Sequence, residues 1–138
     1  MRKLLTLTFA IASALITGCG SDGATTAPSQ SSIAGTWNLA TINGSPLPFV
    51  VQASNPKLEV LSDQLVVNAN GTFTENGQLR VSQGGTVVNQ AVVGAGTYTL
   101  DGTAVSFQWS DGSTGTATVS GRTATVAEDG YSYVYKQQ

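Results

Sequence analysis

Pairs of a small polar residue and glycine punctuate the chain and restrict its fold more than any other feature. Asn-Gly and Asp-Gly pairs supply the positive φ angles that tight hairpin turns need. Short runs rich in Val, Thr, Tyr and Phe lie between these pairs, and no long stretch has a helical apolar period. The chain from Ile33 onward is therefore predicted to be all-β. The pairs are Asn70-Gly71, Asp101-Gly102, Asp111-Gly112, Ser120-Gly121 and Asp129-Gly130.

Alternating apolar residues predict eight strands. The first four are expected over about 35–42, 57–69, 72–82 and 86–100, and four shorter ones follow, most of them joined by tight turns. The second strand changes its apolar phase, which a bulge near Ser62-Asp63 would reconcile. The segment Gly44 to Pro56 contains three prolines and is predicted to be a long loop rather than a strand.

Sequential tight hairpins favour a meander over a Greek key, and eight strands can close on themselves. Closure would also remove the exposed strand edges that promote aggregation. The predicted fold is therefore an eight-stranded up-and-down meander barrel.

The N-terminus has the three parts of a secretory signal. Arg2 and Lys3 provide the positive start, an uncharged apolar run covers 4–16, and Thr17 and Gly18 precede Cys19. The run of 13 residues is shorter than the roughly 20 that a spanning helix needs. An ordinary cleaved signal with a chance cysteine beside it is one interpretation.

The stretch Leu15-Ile16-Thr17-Gly18-Cys19 resembles the lipobox of bacterial lipoproteins. The resemblance implies that the signal peptide, 1–18, is removed and that Cys19 carries a diacylglyceryl thioether and an acylated amine. The expected partner is then the membrane, reached through the lipid anchor on Cys19. Gly20, where an aspartate would favour inner-membrane retention, implies the outer membrane of the bacterial cell envelope.

The mature chain divides into a tether and a domain. Residues 19–32 contain no large apolar side chain and are predicted to form a flexible linker, whereas 33–138 form the barrel domain. Removal of the signal leaves four basic and eight acidic residues, a net charge of −4. A weakly acidic chain with scattered basic residues lacks the footprint of a nucleic-acid-binding protein.

A second resemblance covers the domain itself. The segment Ile33-Ala34-Gly35-Thr36-Trp37-Asn38-Leu39 resembles the Gly-x-Trp opening of lipocalin-like (calycin) barrels. The following Asn43-Gly44-Ser45-Pro46-Leu47-Pro48 is similar to bacterial lipocalin-like lipoproteins of unassigned function. Together with the strand count the resemblance spans 33–136. It implies either a ligand-binding barrel or an inhibitor.

The residues needed for catalysis are largely missing. The chain has no histidine, which is the usual general base and the commonest neutral metal ligand. No thiol remains once Cys19 is lipidated. Asp101, Asp111 and Asp129 precede glycine in turns, where aspartates bond the local backbone. The sequence therefore predicts a protein that is not an enzyme, with no catalytic residue, metal or cofactor.

Glu75 is the acid for which the strand pattern suggests a position inside the barrel. It shares the phase of Phe73 and Leu79, so a continuous third strand would turn it into the barrel, where it would need a cationic or hydroxyl partner such as Arg80 or a tyrosine. In the alternative, Asn76-Gly77 breaks the register and exposes Glu75 to solvent.

Inward aromatic residues leave two functions open. They line a cavity for a small apolar or amphipathic ligand, or they fill the barrel of a protein-interaction module, such as an envelope inhibitor or assembly accessory. The loop 47–51 would cap the barrel mouth or touch the ligand or partner. The predicted ligand-binding residues are Trp37, Phe49, Val51, Phe73, Glu75, Tyr98, Trp109 and Tyr133.

Overall fold

The structure, a computed structural model, describes residues 29–128 and 130–138. The predicted signal peptide, Cys19 and the linker up to residue 28 lie outside this part of the chain. No helix among the described residues is long and apolar enough to cross a membrane. The elements are α1 (Gln30–Ile33), β1 (Gly35–Ile42), β2 (Ser45–Pro46), β3 (Phe49–Gln52), β4 (Lys57–Val67), β5 (Thr72–Gln83), β6 (Thr86–Asp101), β7 (Ala104–Trp109), β8 (Thr114–Ser120), β9 (Thr123–Glu128) and β10 (Tyr131–Gln137).

Eight of these strands form a closed antiparallel barrel. Each strand from β4 to β10 pairs with the next, and β1 pairs with both β10 and β4 to close the ring. Because neighbours in the sheet are also neighbours in sequence, the topology is up-and-down. The prediction of an all-β, lipocalin-like meander barrel is confirmed.

The connection between β1 and β4 differs from the prediction. It was expected to be a loop without strands, but it contains β2 and β3. Strands β1 and β4 pair only between Gly35–Asn38 and 64–67, and beyond this they diverge. The connection fills the gap, because β2 pairs with the end of β1 and β3 with the start of β4. Both edges thereby gain backbone hydrogen bonds that they would otherwise lack.

The irregular second barrel strand, β4, behaves as its apolar pattern predicts. Its register against β5 shifts between Val60 and Ser62, which is the expected bulge. Strand β5 is continuous through Asn76 and Gly77, and both residues pair with strands on either side. Glu75 therefore keeps the inward phase of Phe73.

One end of the barrel is closed by a packed core. Ile33 and Trp37 are each 3% exposed, and the Trp37 indole Nε1 donates a hydrogen bond to the Ile33 carbonyl at 2.8 Å. Helix α1 holds Ile33 in place, and its N-terminus is capped by the Ser29 hydroxyl. This turn, which ends at the buried Ile33, therefore packs into the end of the barrel.

Closure does not remove every strand edge. Strand β6 pairs with β7 only from Gly96 to Asp101, whereas its first half pairs only with β5 among the described residues. Val87, Val88 and Val93 in this half are 62%, 54% and 75% exposed. We call residues 86–94 the β6 edge.

Candidate ligand cavity

A cavity of about 240 Å³ lies inside the barrel, on the opposite side of the packed core from α1. Trp109 and Glu128, the last residues of β7 and β9, line it, so it lies toward the end of the barrel where these strands finish. Its walls are mostly apolar. The aliphatic lining residues are Leu39, Val60, Leu65, Leu79, Val92 and Val126, and the aromatic ones are Phe107, Trp109, Tyr133 and Tyr135.

Asp63 is the most perturbed acid in the cavity. The Tyr135 hydroxyl donates to Asp63 Oδ2 at 2.5 Å, and the Gln64 backbone N–H donates to Oδ1 at 2.9 Å. Burial nevertheless raises the pKa of the Asp63 carboxyl from 3.8 to about 6, and the nearby charge of Glu75 adds to this rise. Burial and the adjacent Asp63 charge raise the pKa of the Tyr135 phenol far above its usual range.

Glu75 points into the cavity, as its strand phase predicts. The Trp109 indole Nε1 donates to Glu75 Oε2 at 2.7 Å. The partner is thus an indole, neither Arg80 nor a tyrosine as proposed from the sequence. Arg80 has the opposite phase on β5, and its guanidinium lies 3.7 Å from Glu59 instead.

Two glycines make room for the Glu75–Trp109 pair. A Cβ at Gly94 of β6 would lie 2.8 Å from Glu75 Oε2 and 3.1 Å from Trp109 Cδ1. A Cβ at Gly115 of β8 would lie 3.0 Å from Trp109 Cζ3. Phe73 meets the Trp109 ring edge-on, with 5.2 Å between their centroids. Packing and a hydrogen bond therefore fix the indole at the cavity wall.

A second hollow adjoins the cavity and shares Glu75, Val92, Trp109 and Glu128 with it. It also contains Asp111, whose Oδ1 accepts hydrogen bonds from the backbone and side chain of Ser113. The Ser113 hydrogen bonds lower the pKa of the Asp111 carboxyl, so it is ionised at neutral pH. The approach to the cavity is consequently acidic.

The structure divides the predicted ligand-binding residues into three groups. Glu75, Trp109 and Tyr133 line the cavity. Trp37, Phe73 and Tyr98 do not; they are 1–3% exposed and fill the core, because they lie toward the α1 end of their strands.

Phe49 and Val51 form the third group, which lies beside the cavity. Phe49 packs edge-on against Tyr131 at 5.9 Å, and the Tyr131 hydroxyl donates to the Val51 carbonyl at 3.0 Å. Strand β3 therefore covers the side of the barrel where β10 begins.

Asp63 and Glu128 also line the cavity and were not predicted as site residues, whereas Phe107 and Tyr135 belong to the inward aromatic residues that were expected to line or fill the barrel. A signal for Asp63 was present in the sequence. After the bulge in β4, Asp63 shares the phase of the buried Leu65 and Val67, and this places it inside the barrel.

Comparison of the chain with known protein families, with curated proteins and with solved structures finds no match. Within the described residues, no three His, Cys, Asp or Glu side chains are placed to hold a metal ion. The cavity, with apolar walls and two hydrogen-bonded carboxylates, is therefore the feature on which a function can be argued.

Proposed function

We propose that this protein is a lipoprotein anchored through Cys19 to the bacterial cell envelope, at the outer membrane, and that its barrel binds a small apolar or amphipathic molecule without catalysis. The observation that carries the binding function is the cavity of about 240 Å³ with aliphatic and aromatic walls. The anchor rests on the signal-like segment that ends at Cys19.

The size of the cavity limits the ligand. Sites for drug-sized molecules usually measure about 300–1,000 Å³, whereas an engineered cavity of about 150 Å³ binds benzene. A single ring with a short chain, or a short alkyl chain, matches a volume between these limits. Burial of its apolar surface would supply about 25 cal/mol per Å² of driving force.

The absence of histidine from the sequence supports a binding role over catalysis. The two inward carboxylates are held by Tyr135 and Trp109, and among the described residues no serine or threonine hydroxyl is hydrogen-bonded to either of them. The arrangement fits recognition of a ligand better than nucleophilic chemistry.

A neutral fluorescent probe tests the binding function. The full chain carrying Cys19→Ser is used, so that no acyl chain competes for the cavity. 4-(Dimethylamino)benzonitrile, a neutral one-ring probe whose emission depends on the polarity of its surroundings, should give a saturable rise in its short-wavelength fluorescence at one site per chain. Leu79→Phe, which fills the cavity, should abolish this rise, and Val87→Phe, on the exposed β6 edge, should not. A probe signal that is absent, or unaffected by Leu79→Phe, would refute the binding function.

The anchor is tested separately. Cells fed radiolabelled palmitate should label the wild-type chain, and Cys19→Ser should abolish the label and move the protein from the detergent phase to the aqueous phase of Triton X-114. Label that persists in Cys19→Ser would place the lipid elsewhere and remove the anchor proposal.

A protein-interaction module, such as an envelope inhibitor or assembly accessory, is the second candidate function. The β6 edge favours it, since it exposes three valines and carries no charged residue. Such an edge can accept a strand of a partner. An envelope protein captured by the wild-type chain and by Thr116→Lys, but lost with Val93→Lys, would support this role. Equal capture by all three chains would oppose it.

A further inference from the structure

The charged groups around the cavity are all acidic. Asp63 of β4 and Glu75 of β5 line the cavity, and Glu128 stands at the end of β9. The described part of the chain contains four basic residues, and none of them lines the cavity or the adjoining hollow. They are Lys57, Arg80, Arg122 and Lys136.

The basic side chains on the strands that carry cavity residues have partners outside the cavity. Lys57 and Arg80 both face Glu59, at 3.0 and 3.7 Å, and the Lys136 ammonium donates to the Thr123 hydroxyl at 2.7 Å. Within the described residues, the only ion pairs are the two on Glu59. Asp63 and Glu75 therefore share one cavity without a counter-charge.

Hydrogen bonds from neutral donors reach three of the four oxygens of the Asp63 and Glu75 carboxylates. Glu75 Oε2 accepts from the Trp109 indole, and the described residues give its second oxygen no donor. Asp63 has a donor on each oxygen, but both donors are neutral groups. Two carboxylates that share one cavity repel each other, and a cation placed between them would relieve that repulsion.

The walls determine which kind of cation fits. No group of three possible metal ligands exists in the described residues, and the lining is mainly aliphatic and aromatic. A metal ion would leave this apolar surface unfilled. An ammonium group attached to an apolar body would use both the carboxylates and the apolar walls. The rings of Phe107, Trp109 and Tyr133 attract cations as well as apolar groups.

We infer that the cavity selects small amphipathic cations, a protonated amine attached to one ring or short alkyl chain, and disfavours carboxylates such as fatty acids. The amine would lie between Asp63 and Glu75, with the apolar body against Trp109 and Phe107. This inference rests on the proposed ligand-binding function. The acidic hollow outside the cavity would attract the same class of ligand.

Three ligands with one apolar body test the selectivity. Titration calorimetry at pH 7.5 on the full chain with Cys19→Ser compares 3-phenylpropylamine, 3-phenylpropan-1-ol and 3-phenylpropanoate. We expect the amine to bind at least about tenfold more tightly than the alcohol, and the alcohol more tightly than the carboxylate. An alcohol or carboxylate that binds best would overturn the selectivity and leave the proposed function standing. Failure of all three ligands and of the neutral fluorescent probe would overturn the proposed function itself.

Charge-removing variants locate the source of the preference. Glu75→Gln and Asp63→Asn should each reduce the amine-to-alcohol affinity ratio at least about fivefold. Asp101→Asn, at the end of β6 and away from the cavity, removes the same charge and should leave the ratio unchanged. Binding of the alcohol shows in every variant whether the cavity is intact. If one of the two cavity variants does not fold, the affinity ratio of the other tests the inference. A ratio that stays the same in the cavity variants, or falls equally in Asp101→Asn, would overturn the inference.

The pH dependence gives a separate measurement. Asp63 faces Glu75 of β5, Glu128 of β9 and the tyrosines 133 and 135 of β10. Its pKa is about 6, so it becomes ionised between pH 5 and 7.5 while the amine stays protonated. Amine affinity should rise about five- to tenfold over this range, and Asp63→Asn should remove the rise. Equal slopes in the two chains, or displacement of the amine by calcium, would contradict an amine site at Asp63.

Discussion

The Tyr135 hydroxyl and the Asp63 carboxylate are joined by a 2.5 Å hydrogen bond between β10 and β4, two strands that do not pair with each other. Strand β1 lies between them in the sheet. The bond therefore links β4 to β10 across the inside of the barrel, behind the closing strand β1. Because Asp63 is largely buried, its charge has a measurable effect on stability.

Asp63→Asn should change how stability depends on pH. The pKa of Asp63 is raised from 3.8 to about 6, so the folded state binds a proton more tightly than the unfolded state. The stabilisation of the folded state by this tighter proton binding is fully present below pH 4 and is lost as the pH rises through 6. The wild-type chain should lose up to about 3 kcal/mol between pH 4 and 7 from this group, and Asp63→Asn should not.

Urea unfolding at several pH values measures this difference. Asp101→Asn, an exposed acid outside the cavity, serves as the control and should follow the wild-type curve. Parallel curves for the wild-type chain and Asp63→Asn would show that Asp63 is not buried with a raised pKa.

Tyr135→Phe should destabilise the protein by about 1–3 kcal/mol at pH 7, since it leaves a buried carboxylate without its hydroxyl donor. The hydroxyl hydrogen bond lowers the pKa of Asp63, so its loss should move that pKa further upward. The cost should therefore be smaller at pH 4, where Asp63 is protonated. Tyr131→Phe, which loses a bond to a neutral backbone carbonyl, should show no such pH dependence.

Gly94→Ala should disturb the Glu75–Trp109 pair. The added Cβ would stand 2.8 Å from Glu75 Oε2, so the carboxylate and the indole must shift. We expect a loss of about 1–3 kcal/mol in stability and a change in tryptophan fluorescence. Ala95→Ser, at the exposed neighbouring position, should change neither quantity. A Gly94→Ala protein with wild-type stability and emission would show that the site is more open than the geometry indicates.

Ile33→Ala tests whether α1 belongs to the domain. Ile33 is 3% exposed in the core, so its truncation should cost about 2–4 kcal/mol. Val87→Ala, at a 62% exposed position, should cost less than about 0.5 kcal/mol. Similar small losses for both variants in denaturant unfolding would mean that residues 29–33 do not seal the barrel.

The local features of the fold were predictable because they depend on neighbouring residues. Turn pairs such as Asn70-Gly71 and Asp101-Gly102 mark hairpins, and strand phase identifies inward residues such as Glu75. The strands β2 and β3 were missed because three prolines in that segment argue against pairing, whereas the need to cover diverging edges arises only in the folded barrel.

Depth along the barrel axis could not be predicted from alternation. Phe73 and Trp109 both have the inward phase, yet Phe73 fills the core and Trp109 lines the cavity. Their different surroundings depend on how far each lies from α1, which strand phase does not specify. The Asp63–Tyr135 contact depends on ring closure in the same way, since the two residues are 72 positions apart in the sequence.

The ring closes on only four residue pairs between β1 and β4, and these strands are linked in sequence by the long connection 43–56 rather than by a tight turn. Strands β8 and β9 also share four pairs, but a tight turn joins them, so the β1–β4 seam is the short pairing without a turn beside it. Amide hydrogens at Gly35–Asn38 should exchange with deuterium sooner than those of the long β4–β5 ladder.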